Sequence, residues 1–433
     1  MMAGGMLNDL FSVADMIFVG ILGPTAIAAV AVAGTALSIF HVLASGLTIG
    51  CASLVALALG KKDRQRAEQV TGQSVLLGIG ISALIAVTGF PLATPFLEAL
   101  GAAPEVVEVG RTYFVVSAGG AFAMLTGFVL GSALRGAGDA VTPLKAIAAA
   151  NLINLLLDPL LIFGWLGFPR LGVAGSAWAS VIARGLASLY LVWTVFVRGH
   201  PAIHLHLKQL VPDMRTIASV LRVGVFGSGQ VALLILSGLA MTRFVAAFGT
   251  LSLAALGIGM RIRMVVMMPG FGLGNAAAAL VGQNVGAGKV QRAIHAAWLC
   301  TGVYLAATCC VSGIAFLWAE KICLVFTRDA QALAECVNLL HWFSLSFILL
   351  APAIMLGRSM NGAGDTFWPM LITACGILLF RIPLAHHFSQ TWGIVAGVWA
   401  GWVLSDFVQC MLSILVFRWG RWQVIGQRKS QKG

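Results

Sequence analysis

The sequence predicts an all-α polytopic membrane protein: twelve transmembrane helices in two six-helix repeats, related by a pseudo-two-fold axis along the membrane normal. Composition is the first ground. The chain is 59% hydrophobic and only 10% charged, whereas a soluble domain carries about 25% charged residues. The second ground is that apolar runs of span length continue to the end of the chain. A secretory leader would be one such run ahead of a soluble chain, and no cleavage signal marks one here. The third ground is repetition at one offset, 226 residues. Leu134 to Asp139 (Leu-Arg-Gly-Ala-Gly-Asp) returns as Met360 to Asp365 (Met-Asn-Gly-Ala-Gly-Asp), and Pro143 returns as Pro369. Gly60, Gln65, Arg66 and Ala67 return as Gly286, Gln291, Arg292 and Ala293, and Phe18-Val19 as Phe244-Val245. Two copies of one membrane unit with a site between them is the build of a secondary transporter.

In order, the spans read at about 1–23, 27–59, 70–95, 110–134, 143–165 and 172–197, then at about 216–248, 252–284, 293–318, 336–359, 368–388 and 392–418. Several exceed the ~20 residues a crossing needs, which predicts tilt or kinks. Six spans per repeat is an even number, so both halves start on the same side. The polar stretch 199–215 (from Gly199-His200-Pro201 to Arg215) then reads as a linker. It joins an N-lobe, 1–198 with helices 1–6, to a C-lobe, 216–433 with helices 7–12.

Basic residues set the orientation. With a cytoplasmic N-terminus, the inner loops hold Lys61, Lys62, Arg64, Arg66, Arg135, Lys145, Arg198, Lys208, Arg215, Arg222, Lys289 and Arg292. Arg418, Arg421, Arg428, Lys429 and Lys432 follow in the tail, against Arg170, Lys321 and Arg328 outside. Both termini are therefore expected in the cytoplasm. The net charge of +12 is a topology signal, and a nucleic-acid partner, which needs a basic patch on a soluble fold, is excluded. The eight cysteines form no CxxC and read as small buried hydrophobes, with no disulfide or zinc expected. No HExxH or GxSxG motif supports an enzyme.

Subtracting one repeat from the other isolates the chemistry. Asp15 aligns with Met241, and Asp158 has no acidic counterpart near Leu384. Carboxylates deep in spans cost ~2.5–3.5 kcal/mol on insertion scales and mark ion or proton pathways. Asn151, Asn154 and Asp158 share one helix face. Pro159 cannot donate to the carbonyl of Leu155, which frees that oxygen nearby. Asn8 and Asp15 share a face of the first span. Carboxylates, amide oxygens and a free carbonyl suit a hard cation such as Na⁺ at Asp15, Asn154 and Asp158, or a proton. The competing reading pairs each acid with an intramembrane base, Arg184 or Arg111. Asp406 with Arg381 reads as a structural ion pair. Asn8, Gln230, Met241, Arg261 and Arg263 complete the candidate substrate cavity; Arg261 and Arg263 are two apart and cannot share a face.

Ala14-Asp15-Met16-Ile17-Phe18-Val19-Gly20, the two Gly-Ala-Gly-Asp loops, Gly282-Gln283-Asn284-Val285-Gly286-Ala287-Gly288, and Asn154 to Pro159 together resemble the multidrug and toxic compound extrusion (MATE) family. The resemblance covers essentially the whole chain and is closer to the DinF-type branch. It implies a monomeric antiporter of a bacterial-type inner membrane, exporting small organic, often cationic, compounds in exchange for H⁺ or Na⁺, with no cofactor. It carries the coupling roles of that branch onto Asp15, Asn154 and Asp158, with a sixth-helix hydroxyl at Ser180 or Ser176. Acids that NorM-type relatives use on helices seven and ten have no counterpart in 216–248 or 336–359. The runner-up is a lipid-linked oligosaccharide flippase of the same wider superfamily, which would need several free bases in its cavity.

Overall fold

The computed structural model describes residues 15–423, and all its regular elements are helical. Described residues of α1 cover 15–21; the rest of the first expected span, including Asn8, lies outside the described residues. There follow α2 (Pro24–Gly60), α3 (Arg64–Ala99), α4 (Pro104–Gly119), α5 (Ala121–Gly136), α6 (Val141–Phe163) and α7 (Val173–Val192), which runs on as a π-helical turn, Trp193–Arg198. Then come α8 (Met214–Ala246), α9 (Thr250–Gly286), α10 (Val290–Leu317), the short α11 (Ala319–Leu324) and α12 (Ala330–Gly362). The last membrane segments are α13 (Phe367–Ala374), joined through a π-helical stretch Cys375–Arg381 to α14 (Ile382–Trp392), and α15 (Ala396–Trp419).

Among the described residues ten helices are long and apolar enough to cross a membrane. The pair α4 and α5, bent by 46°, counts as an eleventh. Each coincides with one expected span from the second to the twelfth. The bend falls at Gly119-Gly120, where α4 ends and α5 begins.

Two compact units emerge, dividing within α8 between Ser228 and Gly229. In the first, α2, α3, α5 and α7 pack around Cys51, Val70, Leu130, Leu134 and Leu191, with a second cluster on Leu97, Phe114 and Leu125. In the second, α8, α9, α12 and α15 pack around Met241, Phe343, Phe347, Trp399 and Trp402.

The sequence repeat survives in the backbone. Gly136 lets α5 touch α2, and Gly362 lets α12 touch α9. A Cβ at Gly136 would stand 2.5 Å from the Ala52 carbonyl oxygen, and one at Gly362 closer still to that of Ala278. Gly138 and Gly364 both turn through the left-handed region, at φ 93° and 81°. So do Lys62 and Gly288, at φ 62° and 72°.

The stretch after α7 is fastened to the first unit by side chains of α3. Gln73 donates to the Gln209 and Val211 carbonyls, both at 2.7 Å, and accepts from the Asp213 N–H at 2.9 Å. Gln69 reaches Asp213 at 2.8 Å, and Glu68 accepts from the His204 N–H at 3.0 Å. These are the backbone groups that an irregular segment would otherwise leave without partners.

One cysteine expectation is corrected. Cys323 and Cys336 form a disulfide across the turn from α11 to α12. A separation of thirteen positions and no motif hide it in the sequence. The remaining six are free, with Cys51, Cys300 and Cys410 buried.

Candidate functional site

Helix α6 builds the first half of the site. Asn154 and Asp158 are fully buried, one turn apart, and Pro159 follows inside the same helix. Among the described residues, both carboxylate oxygens of Asp158 lack a hydrogen-bond partner, as do the side-chain oxygen of Asn154 and the side-chain nitrogen of Asn151. Four polar atoms on one face of one helix are thus left open. Helix α7 approaches this face closely because Gly175 lies against the Leu161–Ile162 backbone, where a Cβ would overlap it. That approach delivers two hydroxyls. Ser176 donates to Asp15 Oδ1 at 2.5 Å, and Asn154 donates to Ser180 Oγ at 3.4 Å. Both serines named from the resemblance therefore belong to one cluster, Ser176 beside the α1 carboxylate and Ser180 beside the α6 amide.

Neither intramembrane base pairs with these acids. Arg184 donates to the Met124 thioether at 3.6 Å, and Arg111 lies over the Phe90 ring, 5.4 Å from its centroid. Among the described residues neither forms an ion pair. A buried carboxylate with no partner carries a desolvation cost of several kcal/mol, which a proton or a cation would relieve. The three open oxygens, on Asp158 and Asn154, match a hard cation. Among the described residues no group of three or more His, Cys, Asp or Glu could hold a metal, so any cation here leans on two carboxylates, amides and hydroxyls.

In the second unit the buried acid is satisfied. Asp406 accepts from Arg381 at 2.5 Å, from Arg263 at 3.3 Å, and from Ser346. Arg263 also reaches Ser346 at 2.6 Å, and Arg381 reaches Ser237 at 2.9 Å. Trp402 lies between the two guanidinium groups, at 5.2 and 4.9 Å. The expected Arg381–Asp406 pair is present. Arg263, read as a cavity residue, is instead buried and committed to Asp406, because its two-residue offset from Arg261 turns it inward. Met241, also read as a cavity residue, is fully buried in the core. Arg261 is exposed. Gln230 donates to Thr373 at 3.3 Å and accepts from Asn361 at 3.5 Å. Nothing in the sequence singled out Ser237 or Ser346, since lone serines in apolar helices are common.

Outside the spans, the first Gly-Ala-Gly-Asp loop carries its own electrostatics. Partial burial works against the Asp139 carboxylate, but the Thr142 hydroxyl, the N–H groups of Thr142 and Val141 and the His200 ring, 3.2 Å away, hold it below the usual range. Asp213 is also held low, chiefly by the Thr216 hydroxyl.

Within the first unit α2, α5, α6 and α7 line a partly open cavity of about 120 Å³. Its lining includes His41, Met124, Phe128, Asn151, Arg184 and Leu191. Asn151 thus joins the cavity to the face that carries Asn154 and Asp158.

Known proteins resemble this chain throughout. The MatE family model matches residues 1–160 and 228–386. A probable multidrug resistance protein, YoeA, of Bacillus subtilis is 27% identical over 421 residues, covering 94% of this chain and 88% of the relative. The probable multidrug resistance protein NorM of Thermotoga maritima is 26% identical, covering 98% and 91%. A crystal structure described as MATE in complex with MaL6 superposes with a TM-score of 0.91 at 25% identity, covering 99% and 95%.

Proposed function

The chain belongs to the MATE family of transporters, and we propose that it exports small organic compounds in exchange for H⁺ or Na⁺ bound at Asp15, Asn154 and Asp158. Relatives named as multidrug resistance proteins support the export of drug-like molecules. The observation that carries the coupling assignment is Asp158, buried with both oxygens unpartnered and an open amide oxygen one turn away. A structural carboxylate in that position would have a base, as Asp406 does. Asp15, held by Ser176, supplies the second carboxylate. Loading an ion at one place and organic substrate elsewhere in the same protein couples the two through a linkage free energy.

In this reading the protein lies in a cytoplasmic membrane with both termini inside, and works as a monomer. Two acids in the coupling site favour a cationic group on the substrate. At an effective dielectric near 20, a unit pair ~6 Å apart gains about 3 kcal/mol before desolvation. The flippase alternative loses ground, because Arg263, one of the few bases available to it, is occupied by Asp406.

The test is transport by purified protein in liposomes, reading ethidium movement against an imposed pH or Na⁺ gradient. Asp158→Asn should reconstitute as well as the wild type and lose gradient-driven movement by about tenfold or more. Transport at the wild-type rate by that variant would refute the assignment.

A further inference from the structure

The cavity of the first unit is lined by donors and by no carboxylate. Arg184 enters it from α7 with, among the described residues, a thioether as its one hydrogen-bond partner, and sulfur is a weak acceptor. Asn151 contributes a side-chain nitrogen that is buried and unpartnered. His41 uses Nδ1 on the Leu37 carbonyl at 3.3 Å, which leaves Nε2 uncommitted. Arg135 lines the same cavity from α5. Asp15 acts on Arg184 without pairing with it. Apart from Ser188, whose hydroxyl donates to the Ala123 carbonyl at 2.8 Å, the rest of the wall is apolar, with Phe128, Ile147 and Leu191 among its members.

Burying a guanidinium against sulfur and hydrocarbon costs free energy unless something accepts from it. Planar forked donors match a carboxylate in two parallel hydrogen bonds, a geometry that neither lysine nor an amide reproduces. The size also selects. An apolar cavity of roughly 150 Å³ holds benzene, so about 120 Å³ suits one small ring rather than an extended chain.

We propose that this cavity is a recognition site for the acidic end of the exported molecule: a carboxylate on a ring-sized apolar body, clamped by Arg184 with Asn151 and His41. The proposal rests on the exporter reading above and refines it. Asn151 lies seven residues before Asp158, ~10 Å along the helix. A compound with a cationic group toward Asp158 and a carboxylate at Arg184 would span that distance. The substrates are then amphoteric or acidic, which charge selection by Asp15 and Asp158 alone does not predict.

Equilibrium binding separates this from coupling, because it needs no gradient. The full chain in phosphatidylcholine nanodiscs is titrated calorimetrically with benzoate, methyl benzoate and benzylammonium. Benzoate should bind at least ~tenfold more tightly than either neighbour. Arg184→Gln should remove that preference while methyl benzoate affinity stays within about threefold, and Arg184→Lys should restore only part of it. If Arg184→Gln does not fold, Ala187→Phe, which fills the cavity, should weaken benzoate by ~tenfold or more. Benzoate binding no tighter than its ester, or unchanged by whichever variant folds, would overturn the proposal. So would competition in phosphatidylglycerol nanodiscs, which would give the site to a lipid headgroup. Benzoate binding with intact transport in Asp158→Asn would instead fault the coupling assignment alone.

Discussion

Asp158 in the first unit and Asp406 in the second are equally inaccessible, both 0% exposed, yet their surroundings are opposite. Asp406 has two arginines and a serine on its carboxylate. Asp158 has no hydrogen-bond or ion-pair partner among the described residues. Depth in the membrane therefore does not tell the two acids apart; satisfaction does. A neutralised carboxylate fixes helices to each other, and under the coupling role proposed above an open one keeps its oxygens for the exchanged ion.

The largest expected effect falls on the satisfied acid. Asp406→Asn would leave two guanidinium groups buried side by side, and breaking a buried pair costs about 3–5 kcal/mol. Its melting transition should drop accordingly, or folded protein should disappear from size-exclusion profiles. Asp158→Asn removes a charge that has no protein partner, so its stability should change by less than ~1 kcal/mol. Equal melting losses in the two variants would break the contrast.

A repeat-to-repeat pair calibrates the scale between these. Gly136→Ala and Gly362→Ala each drive a Cβ into a backbone carbonyl, and each should cost about 1–3 kcal/mol in thermal unfolding. A loss at one position only would mean that the two contacts are not equivalent.

Smaller effects sharpen the open site. Ser176 donates to a carboxylate and Ser180 faces an amide, and a hydrogen bond to a charged group is worth roughly 1.5–3 kcal/mol against about 1 for a neutral one. Ser176→Ala should shift the ion concentration for half-maximal transport by about tenfold, and Ser180→Ala by less than about fivefold. The reverse order would move the weight of the site from Asp15 to Asn154.

The smallest effect concerns the loop acid. Because Asp139 is held low in the folded chain, its stabilisation is present above the unfolded carboxylate value of 3.8 and fades as pH falls through the folded one. Asp139→Asn should lack that acid-side loss, amounting to less than ~1 kcal/mol in melts compared at pH 3 and pH 6. Identical acid sensitivity in the variant and the wild type would remove Asp139 from the account.

Much of this was readable from residue order. Spans and repeats depend on patterns that extend over tens of residues, so each helix from the second span onward appears where hydropathy puts it. Asn151, Asn154 and Asp158 were legible as a face because helical spacing is local. Partners across helices were not. That Arg263 turns to Asp406 while Arg184 donates to Met124 depends on rotation and approach, which no local pattern encodes. The Cys323–Cys336 bond was hidden for the same reason, since it crosses a break between helices.

Lys62 and Gly288 occupy the same left-handed turn in the two copies, one with a side chain and one without. A side chain in that conformation costs roughly 1 kcal/mol or more, so the first copy tolerates what the second avoids. For an engineer this is a ready-made substitution table. Wherever the two halves keep one backbone and differ in residue, each supplies an alternative already carried by the other, and replacing Lys62 with glycine is the natural first trial.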